Sequence, residues 1–486
     1  MNKKMLGTFI ALSLTASMVS AQEADNRIVP LTKAHGAAVQ KAQLSLAKTQ
    51  VAPKDAVAET LALPDAIYYA THHNHDVKVA VANYEAAKAS VGVAAAAKNP
   101  TFTYGYSAGR AETVGALGTN IGNSYSNSLS ATLPLYTGGK AEGAIASARY
   151  ARDIAGANAE RAVQTVRLEA AKAYFTVLQT ENKADVAAMQ VADLAAHKKN
   201  VDAQFNVGVV AKSDVLATDV QVASAETSKI QADNAVAVAK AAFNNVLGTP
   251  VQTEVLLTDK EFPHKTYGIT PEEAEAHALL YRPEVITSTL AVERAKVNVT
   301  TAKAGYLPTI GVNARKGWAG DQVWPTDNSG WSVGASATWS IWDGGATKSN
   351  VEVAKSNLTA AKETNEQTIA GVTLAVKQAY LNMKAAEATI RSTQAAVTHG
   401  VENFRIARLR YQAGVGTNVD VLDAEYNLQS ARNAHIDALY NYNVYVATLE
   451  NVMGVDGENT VVGSGLETEK VKSAPADLKA LMESVK

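Results

Sequence analysis

The chain has 486 residues, enough for more than one core, and its formal net charge of −2 gives no argument for nucleic acid or another polyanion as partner. It contains no cysteine, which excludes disulfides, thiolate metal sites and a lipid-modified N-terminal Cys. Aromatics make up only 6 % of the residues, so close packing of Ala-rich helices is favoured over large globular cores.

Lys3 and Lys4 precede the apolar run Met5–Leu14, and Val19-Ser-Ala21 closes it with small residues. Residues 1–21 are therefore read as an export signal cleaved near Ala21; a buried N-terminal helix is the alternative. No other stretch approaches the ~20 apolar residues of a transmembrane helix, so any membrane insertion must be by strands. Residues 22–60, rich in Ala, Lys and Gln, read as a weakly helical or mobile extension.

A first repeat is expected over 61–256. Pro64-Asp65 opens a helix that continues to Lys98 and stops at Asn99-Pro100. Strands follow at about 101–109 and 124–136, joined by a Gly/Thr/Asn loop. Phe102, Tyr104, Tyr106 and Ala108 alternate with Thr and Gly or Ser; Tyr125, Leu129, Ala131, Leu133 and Leu135 alternate with Ser and Thr. Pro134 cannot donate to a ladder and marks a bend. Gly138-Gly139 ends the strand, a long helix spans 139–206, and a second runs 213–247 after the turn Phe205-Asn-Val-Gly208.

The pattern then recurs over 257–456. Pro271-Glu272 opens a helix and Leu307-Pro308 ends the segment. Strands are expected at about 309–318 and 330–342, a long helix at 344–411, a last helix at 417–453, and a tail at 457–486. Gly344-Gly345 follows Gly138-Gly139 by 206 residues, and Tyr411-Gln-Ala-Gly414 follows Phe205-Asn-Val-Gly208 by the same offset.

All five tryptophans fall in 318–342. Trp318, Trp331, Trp339 and Trp342, with Tyr104, Tyr106, Tyr125 and Tyr136, are expected to form an aromatic belt, with small polar residues on the alternate face lining a wet lumen. A sandwich sheet with one solvated face is the alternative. Four strands cannot close a membrane barrel, so several chains must share one; three give twelve strands.

The ordered, duplicated motifs resemble the TolC family of outer-membrane efflux proteins. They are Asn99-Pro100, Pro134-Leu-Tyr-Thr-Gly-Gly139, Ala173-Tyr-Phe-Thr-Val-Leu178, Phe205 to Gly208 with Ser213-Asp214, and Tyr411 to Gly414 with Val419-Asp-Val-Leu-Asp-Ala424. The resemblance covers roughly residues 60–456. It implies an α+β membrane protein: a homotrimer with a 12-stranded β-barrel in the outer membrane, continued into the periplasm by an α-helical barrel of antiparallel hairpins. It implies passive export without catalysis or cofactor, as the exit duct of a tripartite efflux pump or a type I secretion system. The implied partners are outer-membrane lipid, a periplasmic adaptor (membrane fusion) protein and an inner-membrane transporter, of the resistance–nodulation or ABC type. A non-conducting outer-membrane spacer is the alternative.

The resemblance also implies a periplasmic entrance held by Asp214 and Tyr411 and lined by Asp420 and Asp423. Read from the residues alone, Asp420 is a first-turn acid in a Thr417 capping box, with Asp423 one turn on; in a trimer the two acids become rings that favour cations. Gly416 stands where a family member carries Arg, and Lys212 is the candidate replacement charge. His72, His73 and His75 lack the acids or thiolates of a metal site. Thr137-Gly-Gly-Lys140 lacks phosphate-loop spacing.

Overall fold

The computed structural model describes residues 60–115, 118–325 and 328–455. The expected export signal, the extension up to residue 59 and the tail lie outside the described residues. In chain order the elements are β1 (Thr60–Leu61), α1 (Leu63–His73), α2 (His75–Ala96), β2 (Thr101–Gly115), β3 (Gly118–Tyr136), α3 (Lys140–Asn206) and α4 (Lys212–Leu247). They continue as β4 (Leu256–Leu257), α5 (Pro271–Tyr281), α6 (Pro283–Lys303), a 3-10 turn (Ala304–Tyr306), β5 (Thr309–Gly320), β6 (Ser329–Thr338), α7 (Ala346–Gln412) and α8 (Asn418–Met453). No proline occurs between Pro134 and Pro250, so nothing interrupts the Ala-rich α3, whose 67 residues extend roughly 100 Å at 1.5 Å each.

The described chain divides into two units. The first, from Asn83–Ala155 and Thr287–Glu366, holds an antiparallel sheet of order β2-β3-β5-β6. Its register puts residues from all four strands in phase. Tyr104 pairs with Leu129, Leu129 with Lys316, and Lys316 with Trp331. On the other face Thr103 pairs with Ser130, Ser130 with Arg315, and Arg315 with Ser332. One face thus carries Phe102, Tyr104, Leu129, Ala131, Val312 and Val333; the other carries Thr, Ser, Gly, Asn, Ala, Pro134 and one Arg. Two polar residues on the apolar face have local partners. Asn127 accepts from the Tyr104 hydroxyl (3.0 Å), and Lys316 Nζ donates to Ser329 Oγ (3.1 Å) beside the Trp318 ring.

The strands depart from the expected bounds. The first hairpin continues through the expected loop, pairing Gly109 with Ser124 and onward to Gly115 with Gly118. A ladder needs only backbone N–H and C=O groups, so Gly/Thr/Asn composition does not end it. The fourth strand stops at Thr338 rather than 342: Trp339 leaves the ladder and its indole donates to the Tyr306 carbonyl (3.0 Å). Between Pro134 and Tyr136 the register shifts, so Tyr136 pairs with Ile310 on the apolar face and Leu135 is the extra residue of the bulge.

The second unit takes the described residues up to Ala82, Gly156–Ile286, and Gln367 onward. Its largest core gathers around Tyr174 and Phe175, with Phe243 edge-on to Tyr174 and Phe262 against Phe175. The Tyr174 hydroxyl donates to Asp259 (2.6 Å), and the Tyr442 hydroxyl donates to the Lys265 carbonyl (2.6 Å), tying the connecting segments to the helices. Both helices that open the expected repeats are broken rather than continuous. The break after α5 comes at Arg282, extended ahead of Pro283, which has no N–H to continue the helix. The break after α1 comes at Asn74, whose Oδ1 accepts from Asp76 N (2.7 Å) while Nδ2 donates to the Val246 carbonyl at the end of α4 (3.0 Å).

Asn74 is buried and serves both bonds at once. Asn74→Ala should therefore lose a cap and strand a carbonyl, about 1–3 kcal/mol, read as a lower melting temperature by circular dichroism in detergent. Asn74→Asp keeps the acceptor for Asp76 N but sets a second oxygen against the Val246 carbonyl, so it should not restore stability. An unshifted melting curve for Asn74→Ala would show that the side chain does not hold this joint.

Candidate functional site

The turns between α3 and α4 and between α7 and α8 close in the same way. Gly208 (φ +79°) and Gly414 (φ +72°) take the left-handed conformation that ends each long helix. Val209 N donates to the Gln204 carbonyl (2.9 Å), and Val415 N to the Arg410 carbonyl (3.0 Å). Although 206 residues separate them in sequence, the two tips share one apolar cluster. Val201, Val215, Phe404, Ala407, Tyr411, Val421, Ala424 and Leu428 pack together from all four helices.

A buried polar network crosses the same cluster. His197 of α3 lies with Nε2 2.7 Å from Asn418 Oδ1 at the start of α8. The Asn418 amide nitrogen donates to the Asp214 carbonyl (3.2 Å) and to the Thr218 hydroxyl (3.2 Å) on α4. His197, Asn418 and Thr218 are all almost fully buried. Because Asn418 Oδ1 can only accept, the ring proton sits on Nε2. His197 Nδ1 and the buried Tyr411 hydroxyl then have no hydrogen-bond partner among the described residues, and the two rings meet edge-on with centroids 5.0 Å apart. Burial raises the Tyr411 pKa, and the nearby Asp214 raises it further. Burial lowers that of His197 and outweighs the Asn418 bond, with Arg408 adding to the depression.

The expected site residues fall into two sets. Asp214 and Tyr411 belong to this shared tip. Asp420 and Asp423 are exposed on the first turns of α8. Asp420 completes a capping box: Thr417 N donates to its carboxylate (2.9 Å) and Asp420 N donates to the Thr417 hydroxyl (3.1 Å). The Thr417 bonds hold the Asp420 carboxyl below its ordinary range, and Arg410 contributes. Lys212 Nζ lies 5.2 Å from the Phe205 ring centroid, and among the described residues of the chain no ion pair joins it to Asp214. The charge that acts on Asp420 is that of Arg410. Gly416 has a steric reason as well. A Cβ there would lie 3.1 Å from both Arg410 Cβ and Tyr411 N, so a side chain at this position presses on the end of α7.

His197, Thr218, Asn418 and Arg410 were not legible as site residues. A lone His or Asn on an Ala-rich helix carries no periodic signal, and their partners lie about 200 residues away. Of the expected belt, Tyr104, Tyr106, Tyr136, Trp331, Trp339 and Trp342 are exposed, and Tyr125 and Trp318 are half-buried. Among the described residues no helix is long and apolar enough to cross a membrane. The sheet is the candidate membrane surface and the tip the candidate point of control.

The His197 network predicts a pH dependence. Its folded pKa lies below the ordinary 6.5, so its neutral form contributes stability in full above pH 6.5; that contribution is lost as pH falls through the lowered folded value. Hydrogen exchange, corrected for its intrinsic pH dependence, should show residues 197–218 and 404–428 losing protection between pH 7.5 and 5. The local readout matters because Glu450, pushed up to about 7 by burial, titrates in the same window at the far end of α8. His197→Gln should flatten the local response; an unaltered response would assign it to other groups.

Comparison with known proteins agrees with this geometry. The family model described as outer membrane efflux protein matches residues 66–249 and 276–455. Outer membrane protein TolC of Escherichia coli is 28 % identical over 321 residues, covering 62 % of this chain and 63 % of that protein, so the match spans less than two thirds of this relative's length. Alkaline protease secretion protein AprF of Pseudomonas aeruginosa is 24 % identical over 414 residues, 81 % of this chain and 85 % of that protein. The crystal structure of the Campylobacter jejuni CmeC outer membrane channel superposes with a TM-score of 0.71 at 18 % identity, covering 85 % of this chain and 89 % of that one, a likeness of fold.

Proposed function

The chain belongs to the outer membrane efflux protein family and is a protein of the outer membrane, and from that premise we propose that it is the exit duct of a tripartite efflux pump or a type I secretion system. The observation that carries this reading is the sheet. Four strands segregate in one register into an apolar, aromatic face and a face of Ser, Thr and Gly. That is the composition of a wall between lipid and water. Arg110 and Glu112 stand on the apolar-face phase only beyond its last apolar pair, Ala108 with Tyr125, where a headgroup rim is expected.

In this reading three chains contribute four strands each to a 12-stranded barrel. The two halves of each chain act as structural repeats, supported by paired helix lengths of 67 and 67 residues for α3 and α7 and 36 and 36 for α4 and α8. The hairpins continue the duct into the periplasm, where the tip residues Asp214, Tyr411, Asp420 and Asp423 control entry. An adaptor and an inner-membrane transporter of resistance–nodulation or ABC type supply cargo and energy. The efflux family and the relative named for protease secretion support both system types. The chain itself makes and breaks no covalent bond and holds no cofactor.

The test is conductance with oligomeric state. Native mass spectrometry should find a trimer, and planar bilayers should show discrete channels; a folded monomer, or a trimer without conductance, would favour a spacer. Val333→Arg, on the apolar face, should impair membrane insertion by ~2–4 kcal/mol if the residue is near mid-membrane, whereas Ser332→Arg should be tolerated. Equal effects would contradict the assignment of faces. Asp420→Asn combined with Asp423→Asn should reduce cation selectivity and tip-side block by multivalent cations. Unchanged selectivity in an assembled trimer would leave these two acids a role only in ending the turn.

A further inference from the structure

On the polar face of the sheet the paired strands present Thr, Ser, Gly, Ala, Asn, Pro134 and one charged side chain, Arg315. It stands in β5 opposite Ser130 on one side and Ser332 on the other. The positions flanking these partners are Ser128, Thr132, Gly330 and Gly334, none long enough to cover a guanidinium. Arg315 is exposed, and no described residue pairs with it by ion pair or hydrogen bond. Its sequence neighbour behaves differently. Lys316, on the apolar face, is half-buried and satisfied by Ser329. The contrast is physical: a cation on a lipid-facing surface must find a local partner, while one on a wet surface can remain open.

We propose that Arg315 is a specificity-determining residue of the duct, forming a cationic ring within the barrel that binds anionic groups of the transported solute. The inference rests on the duct reading above, since three copies must face one lumen. Arg315 lies six residues along β5 from Thr309, about 20 Å from the helix-proximal end of the sheet. It therefore acts well inside the barrel wall. The charged group is a guanidinium. Its planar fork matches phosphate and carboxylate groups, and the small residues around it leave room for them to approach.

Reach decides whether the ring is felt by solute passing along the axis. The screening length is about 10 Å at 0.1 M salt and about 3 Å at 1 M. Three cations around a lumen therefore act on passing anions at the lower concentration and are confined to their own surroundings at the higher. Salt dependence is thus part of the signature.

The experiment uses the reconstituted trimer with inorganic tripolyphosphate as probe, added to each side of a planar bilayer in turn. At 0.1 M KCl the unmodified protein should be blocked. The block should weaken at least about ten-fold in Arg315→Gln, persist in Arg315→Lys, and fade at 1 M KCl. Because the chain has no cysteine, Arg315→Cys carries a single thiol. A membrane-impermeant thiosulfonate should modify it in vesicles and leave Val333→Cys unmodified. Conducting Arg315→Gln channels with unchanged block would overturn the role of Arg315 alone. Reaction of Val333→Cys but not Arg315→Cys would reverse the faces and overturn it too. Absence of any channel from the unmodified trimer would overturn the duct reading, and this inference with it.

Discussion

The outer edges of β2 and β6 set the terms for the rest of this molecule. Among the described residues each of these strands has a single neighbour, so a row of N–H and C=O groups on each is left without a ladder there. In water such an edge is an aggregation hazard; in hydrocarbon it costs several kcal/mol per unsatisfied group. A sheet with a continuous aromatic face is suited to lipid, yet it cannot stay there with open edges. The proposed sharing of one barrel among chains follows from these two facts together. Fewer strands per chain than a barrel needs is then a device for making insertion conditional on assembly.

What was legible in the sequence was whatever repeats with a short period. The strand faces could be read because Phe102, Tyr104 and Tyr106, or Ser126, Ser128 and Ser130, recur every second residue, and the register aligns those runs without a slip until the bulge at Leu135. Helix ends at Gly208 and Gly414 could be read because a left-handed residue favours glycine. Features set by tertiary contacts were not legible. Asn74 breaks a helix because Val246, 172 residues away, offers its carbonyl. Trp339 leaves the strand for the Tyr306 carbonyl although its alternation fits a ladder. His197 and Asn418 find each other across 221 residues.

The tip network also explains why a polar cluster sits where apolar packing would suffice. Ala-rich helices offer similar small surfaces at every turn, so one hairpin can slide against another by a turn at little cost. A buried bond between His197 and Asn418, with Asn418 also bound to Asp214 and Thr218, is satisfied in one register only. Slipping α8 by a turn would strand these groups in an apolar setting, at about 1–3 kcal/mol each. The cost of burying them is accepted where both tips must end together. The His197 Nδ1 and Tyr411 hydroxyl, without partners among the described residues, show that the arrangement is not fully satisfied there.

Equal helix lengths complete the argument. A closed ring of hairpins works only if every tip reaches the same level, because a hairpin one turn short leaves a gap of about 5 Å at the rim. α3 and α7 each have 67 residues, and α4 and α8 each have 36, although most of their residues differ. The two hairpin loops of the sheet are free of that demand, and there the halves differ: the first pair has 15 and 19 residues, the second 12 and 10. Length is held where the proposed ring must close and relaxed at the opposite end of the strands. That distribution fits the proposed duct, whose hairpins must end together.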